Sequence, residues 1–261
     1  MPLDRRSALS AAAAVAAGLV GLSGCDSPSR PSAGRSATPE AGPASPLPAH
    51  TKSTGPAPGR TPLPPEVDAG PRDRPNVALT FHGQGDAALA RQLLTELERG
   101  GARVTVFAVG TWLAGQPAMA RRVLDGGHEL GNHTENHLDI SRMTPAEAFG
   151  EINACAQRIS KLTGTIGTWF RPSQTQHANT LIRAQASRVG YPTCVSYDVD
   201  SLDYTDPGSP SVVRTTLSRV RPGSIVSLHF GHRGTLAAVG PILDGLRQRG
   251  LHAVTLKELM A

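Results

Sequence analysis

From Pro75 to its C-terminus the chain alternates short apolar runs with longer segments of helical spacing, a pattern that few folds accept. Asn76–Phe81 reads as a strand, and Asp86–Arg99 places Leu89, Leu93, Leu94 and Leu97 along one helical face. Arg103–Val109 is a second apolar strand, followed by a helical segment from Leu113 to Leu124 and a third short strand from His128. Thr144-Pro-Ala-Glu147 combines an N-cap, a proline in the first turn and a glutamate three residues after the cap, so it opens a helix running to Leu162. The strands Thr168–Arg171, Thr193–Asp198, Ser224–Phe230 and His252–Leu256 follow, separated by helices over Ala178–Val189, Ser211–Val220 and Leu236–Arg249. This makes about seven β–α units of roughly 25 residues, the pattern of a parallel α/β fold. Strands apolar on both faces suit either a closed barrel or a doubly wound sheet, and both gather function at the strand C-termini.

The polar residues fall where that rule wants them. His82 and Asp86 follow the first strand, and His133 and His137 follow the third. Arg171 ends the fourth strand, Asp198, Asp200, Asp203 and Tyr204 follow the fifth, and His229 lies near the end of the sixth. The spacing of His133 and His137 sets two imidazoles on one face of a helical turn, where both can reach one divalent metal.

Upstream of the alternation the chain is of another kind. Arg5-Arg6, an apolar run from Ala8 to Leu22 and Leu22-Ser-Gly-Cys25 have the layout of a secretory signal, with Cys25 placed for acylation as in a bacterial lipobox. Residues 26–73 are mostly Pro, Ser, Gly, Ala and Thr and read as a disordered stalk. These features predict an extracytoplasmic protein held at the cell membrane by an N-terminal lipid, with its folded domain at 74–261. The net charge of +5 comes from scattered arginines, with no basic helix and no aromatic ladder, so nucleic acid is not an expected partner. Beyond Cys25 only Cys155 and Cys194 remain, either as a disulfide or as two small buried thiols.

The ordered series Leu79-Thr80-Phe81, Gly131–His137, Phe170-Arg171-Pro172, Asp198–Tyr204 and Leu228-His229 resembles the polysaccharide deacetylases of the NodB-homology type, carbohydrate esterase family four. The resemblance spans about residues 75–261 and implies a distorted barrel of seven β–α units. It implies a metal-dependent hydrolase, with zinc or a similar divalent ion, that removes N-acetyl groups from peptidoglycan or chitin-like polysaccharide. By that resemblance His133 and His137 are metal ligands, and Arg171 orients the base. Asp203 holds the tautomer of the acid His229, Leu228 forms the wall for the acetyl methyl, and Tyr204 offers a face to sugar.

The first motif departs from the family's Thr-Phe-Asp-Asp-Gly-Pro, because here it reads Thr80-Phe81-His82-Gly83-Gln84-Gly85. The position of the base holds His82, and that of the metal carboxylate holds Gly83. Three readings follow. His82 serves as base, with Asp86 or water completing the metal shell. Or His82 joins His133 and His137 in a three-histidine site, with Asp86, Asp198 or Asp200 as base. Or catalysis has been lost and glycan binding kept. Removal of O-acetyl groups is a further alternative to N-deacetylation.

Overall fold

The computed structural model of the chain describes residues 62–261. Its first element, β1 (Glu66–Val67), lies inside the stretch expected to be stalk. It pairs in parallel with Cys194–Val195, sealed by the Cys194 amide on Pro65 O at 2.9 Å and the Ser196 amide on Val67 O at 2.7 Å. The folded domain therefore begins ahead of residue 74. Two residues flanked by prolines and a glycine carry no periodicity, so only the backbone pairing betrays the strand. The signal region with Cys25, and the stalk up to residue 61, lie outside the described residues.

The chain continues through β2 (Asn76–Gly83), α1 (Ala87–Arg99), β3 (Thr105–Ala108), α2 (Gly110–Gly115), α3 (Ala118–Asp125) and β4 (Glu129–Asn132). Then come α4 (Pro145–Thr163), α5 (Thr180–Val189), β5 (Cys194–Val195), β6 (Val199–Asp200) and α6 (Ser209–Arg219). The last elements are β7 (Ile225–His229), α7 (Arg233–Gln248), β8 (His252–Val254) and α8 (Leu256–Leu259). Two helices stand where one was expected over Leu113–Leu124, because Pro117 lacks the amide that would continue the first into the second. The expected capping box at Thr144 is formed, and α4 ends on Gly164 at φ 87°, a left-handed cap that glycine adopts without strain.

The strands are parallel, in the order β4-β3-β2-β7-β6. β8 pairs with the start of β2, Asn76–Ala78, on the edge whose far half, Thr80–Gly83, pairs with β3. The expected fourth strand shrinks to single bridges from Phe170 to Asn132 and to Cys194, which link β4 to β5 and so to β1. An antiparallel bridge from Ala69 to Ser224 brings that edge back to β7. The result is the expected distorted (β/α)7 barrel, with one wall made of bridges rather than ladders.

Along β2 and β7 the side chains alternate. Val77, Leu79, Phe81, Val226 and Leu228 pack outward among helix residues such as Leu93, Leu97, Val239 and Ile242. Ala78, Phe107, Trp169, Val195 and Ile225 form a separate inner cluster with Leu256 and Leu259 of α8. The inward positions at the other end of the same strands are Thr80, His82, Ser227 and His229. Cys155 and Cys194 are both free and buried, which resolves the cysteine question in favour of two thiols.

Candidate active site

Arg171 fills the middle of the barrel. Its side chain is buried, with the guanidinium carbon 4.3 Å from the centre of the Phe107 ring. Nη1 donates to Thr80 Oγ1 at 2.8 Å and lies 3.4 Å from His82 Nε2; Nε and Nη2 donate to the carbonyls of Val195 and Ser196. None of these partners is a carboxylate. Burial pulls the guanidinium pKa down to about 9, which leaves it charged at neutral pH. The Arg171 backbone carbonyl meets His133 Nδ1 at 2.9 Å.

That contact fixes the protons of the neighbouring rings. A carbonyl only accepts, so His133 carries its proton on Nδ1 and keeps a lone pair on Nε2. His82 Nδ1 lies 2.8 Å from His133 Nε2 and must be the donor. His82 Nε2 is then an acceptor, facing Ser227 Oγ at 3.1 Å and the Arg171 guanidinium. The ring centres of His82 and His133 are 4.5 Å apart and those of His133 and His137 4.9 Å. One nitrogen from each of the three rings falls within 4.8 Å of the others, and among the described residues this is the one cluster fit to hold a metal.

The loop that delivers His137 is not the helical turn expected from the spacing. Thr134 and His137 have φ of 67° and 57°, a left-handed backbone that costs non-glycine residues about 1 kcal/mol or more each. Side chains hold the loop in that shape. Asn132 Oδ1 accepts from the Thr134 amide, Thr134 Oγ1 donates to Ser173 Oγ, Ser173 Oγ donates to Leu138 O, and Gln174 Nε2 donates to His137 O. The two rings expected from the four-residue spacing do come together, but through a left-handed loop rather than a helical turn.

Burial is the main reason that His82, His133 and His137 all sit below the ordinary histidine value, the first two well below it. The neighbouring rings push the same way, as does the Arg171 guanidinium for His82, whereas at His133 the bond to the Arg171 carbonyl works against burial. The cluster is therefore neutral at pH 7. Below the unfolded value near 6.5 the unfolded chain takes up protons that the folded one refuses, so stability falls as pH falls. Each strongly lowered ring approaches about 1.4 kcal/mol per pH unit once the unfolded ring is fully protonated, and His82 with His133 should together remove about 2 kcal/mol between pH 6.5 and 5.5. Urea unfolding of metal-free protein at those two pH values checks this; equal stabilities would contradict it.

On the other side of His82 lies a His–Asp couple. His229 stacks on His82 with ring centres 4.2 Å apart, and its Nδ1 bonds Asp203 Oδ1 at 2.7 Å. Asp203 Oδ2 accepts from the His229 amide at 2.8 Å and from Thr235 Oγ1 at 2.6 Å. Burial works to raise the Asp203 carboxyl, but the hydrogen bonds from His229 and Thr235 outweigh it and hold the group ionised below its ordinary value. Because Nδ1 is committed to Asp203, His229 Nε2 is left for the pocket. A cavity of about 360 Å³ opens here, lined by His82, His137, His229, Tyr197, Tyr204 and Gln176 among others. Tyr204 is half exposed, with its ring centre 5.3 Å from that of His229.

Four expected positions lie elsewhere. Asp86 caps α1 through the Leu89 amide at 2.7 Å and is not part of the histidine cluster. Asp198 accepts from the Ile225 amide and pairs with Arg72, at the entry of β7 rather than its exit. Asp200 accepts from the Leu202 amide. Leu228 is buried in the outer core and cannot form a wall of the pocket. Its neighbour Ser227 faces inward instead, and strand alternation from His229 is the signal that would have found it. Gly83 is tightly packed, since a Cβ there would lie 2.8 Å from Val106 Cγ1 and 3.1 Å from the Ala108 Cα.

Comparison with known proteins places this geometry. A family model described as polysaccharide deacetylase matches residues 69–194. A chitooligosaccharide deacetylase from a Bradyrhizobium species is 30% identical over 207 residues, covering 70% of this chain and 90% of that one. A peptidoglycan-N-acetylglucosamine deacetylase from Bacillus cereus is 31% identical over 194 residues, covering 73% and 90%. Among solved structures, a family-four carbohydrate esterase pseudoenzyme from Bacillus anthracis superposes with a TM-score of 0.72 at 20% identity, over 76% of this chain and 70% of that one, a likeness of fold. By sequence and by architecture, the chain belongs to the polysaccharide deacetylase family.

Proposed function

We propose that this protein is a metal-dependent hydrolase that removes N-acetyl groups from an N-acetylglucosamine-containing polysaccharide. The observation that carries the reading is three neutral imidazoles converging beside the His229–Asp203 couple on one open pocket. His82, His133 and His137 suit zinc or a similar divalent ion as a three-histidine donor set that leaves a position for substrate. Such an ion, when bound, polarises an acyl carbonyl and acidifies water.

The chain's own residues must then move the proton. Asp86, Asp198 and Asp200 accept from backbone amides and do not line the pocket, and both nitrogens of His82 are occupied. Among the described residues that line the pocket, His229 is therefore the base left free of the histidine cluster. His229 takes both roles: Nε2 accepts a proton from the attacking water and returns it to the departing amine. The amide and one water become acetic acid and a free amine, which exchange a proton to leave acetate and an ammonium group. Asp203 stabilises the imidazolium formed between those two transfers. Tyr204 offers an aromatic face to the sugar. The relatives named for chitooligosaccharide and peptidoglycan substrates support a glycan of that class.

Acetate release from chitooligosaccharide and from peptidoglycan fragments tests the reading. The expected result is turnover that EDTA abolishes and zinc restores. Turnover on acetylxylan alone would make the protein an O-acetyl esterase. A second reading, a glycan-binding protein without turnover, draws on Gly83 and His82 standing where the family's carboxylates belong. Glycan binding with no acetate release under any metal would establish it.

A further inference from the structure

The proton arrangement around His82 conflicts with its use as a ligand. His82 Nδ1, the nitrogen aimed into the cluster, donates to His133 Nε2, so its proton occupies the space between the two lone pairs a metal needs. For His82 to ligate through Nδ1, that proton must leave and Nε2 must carry one. The ring gains and loses one proton, and its charge is unchanged.

A protonated Nε2 then requires an acceptor. Two side chains reach it: the Arg171 guanidinium at 3.4 Å, which only donates, and Ser227 Oγ at 3.1 Å. A hydroxyl donates or accepts according to its rotation. With Nε2 bare, Ser227 donates to it; with Nε2 protonated, Ser227 turns and accepts. Arg171 keeps its bond to Thr80 Oγ1 at 2.8 Å in both arrangements.

We propose that Ser227 is the positioning residue of the metal site, the one acceptor among the described residues that lets His82 shift its proton to Nε2 and present Nδ1 to a divalent ion. The proposal rests on the three-histidine reading above. Outer partners of ligating histidines act in this way, fixing tautomer and ring orientation, and their loss typically weakens metal affinity by roughly 10–100-fold. Ser227 lies behind His82, buried and away from the pocket lining, so it acts through the ring and not on substrate.

The test is zinc affinity by competition with a chromophoric chelator, for the native protein, Ser227→Ala and Ser227→Asp, with ¹⁵N spectra of the histidine rings. Ser227→Ala should bind zinc roughly 10–100-fold more weakly. Ser227→Asp, which only accepts, should recover native affinity or exceed it. In the native protein the His82 proton should sit on Nδ1 without zinc and on Nε2 with it. This last measurement decides the matter even if a variant fails to fold. Equal zinc affinity in Ser227→Ala, or a His82 proton that stays on Nδ1 in the zinc-loaded native protein, overturns the proposal while leaving metal binding intact. A native protein that binds no zinc overturns the three-histidine reading and this proposal with it.

Discussion

Replacing His229 by alanine should lower the rate of acetate release by roughly 10²–10⁴-fold, with zinc content unchanged. The size follows from the site's composition. Where two separate groups share base and acid duty, loss of one leaves the other. Here the His229–Asp203 couple is the proton-transfer pair left facing the pocket, so its loss removes both duties at once. The KM for a chitooligosaccharide should change much less than kcat, because Tyr204 and the loop that carries Gln174 and Gln176 still shape the pocket. A His229→Ala protein with near-native kcat would mean that proton transfer runs through another group.

Replacing Arg171 by alanine should destabilise the fold by about 3 kcal/mol, measured by urea unfolding of metal-free protein. The guanidinium spans the barrel, and its donors satisfy Thr80 Oγ1 and the carbonyls of Val195 and Ser196. Without it the two buried carbonyls lose their guanidinium donors, Thr80 Oγ1 keeps only its bond to Val226 O, and the face of Phe107 is left against a void. One term opposes the loss: a buried cation with no carboxylate beside it is itself unfavourable. For that reason Arg171→Met, which keeps volume and drops charge, should lose less than Arg171→Ala. If both variants matched the native protein, Arg171 would not be the support of the barrel centre described here.

The sequence made the strand-end residues legible because parallel strands deliver their C-termini to one rim. His82, His133, His137, Arg171, Asp203 and His229 all meet there. It placed Asp198 on the wrong end, because a residue following one strand can fold back to the entry of the next, as the Asp198–Ile225 contact does. It chose Leu228 over Ser227 because a linear motif does not say which face of a strand each residue occupies; counting by twos from His229 does. Asp86 was ambiguous for a physical reason, since a carboxylate just ahead of a helix serves as cap or ligand with equal chemistry, and the Leu89 amide decides for cap. β1 was illegible, because a two-residue strand is defined by its partner in β5 and not by any pattern of its own.

The tautomer of His82 was also beyond the sequence. It depends on a backbone carbonyl, that of Arg171, fixing His133 and through it the next ring. The same chain of bonds holds the His82 ring against His133 but leaves the Nδ1 proton between them, which is why the proposed ligand role needs an acceptor at Nε2.

On the proposed reading, His82, His133 and His137 together hold one divalent ion. Anomalous diffraction at the zinc edge from zinc-soaked crystals tests it directly. A single peak should appear about 2.0–2.1 Å from His82 Nδ1, His133 Nε2 and one nitrogen of His137. A peak held by His133 and His137 with His82 turned away, or no peak between the three rings at saturating zinc, would contradict it.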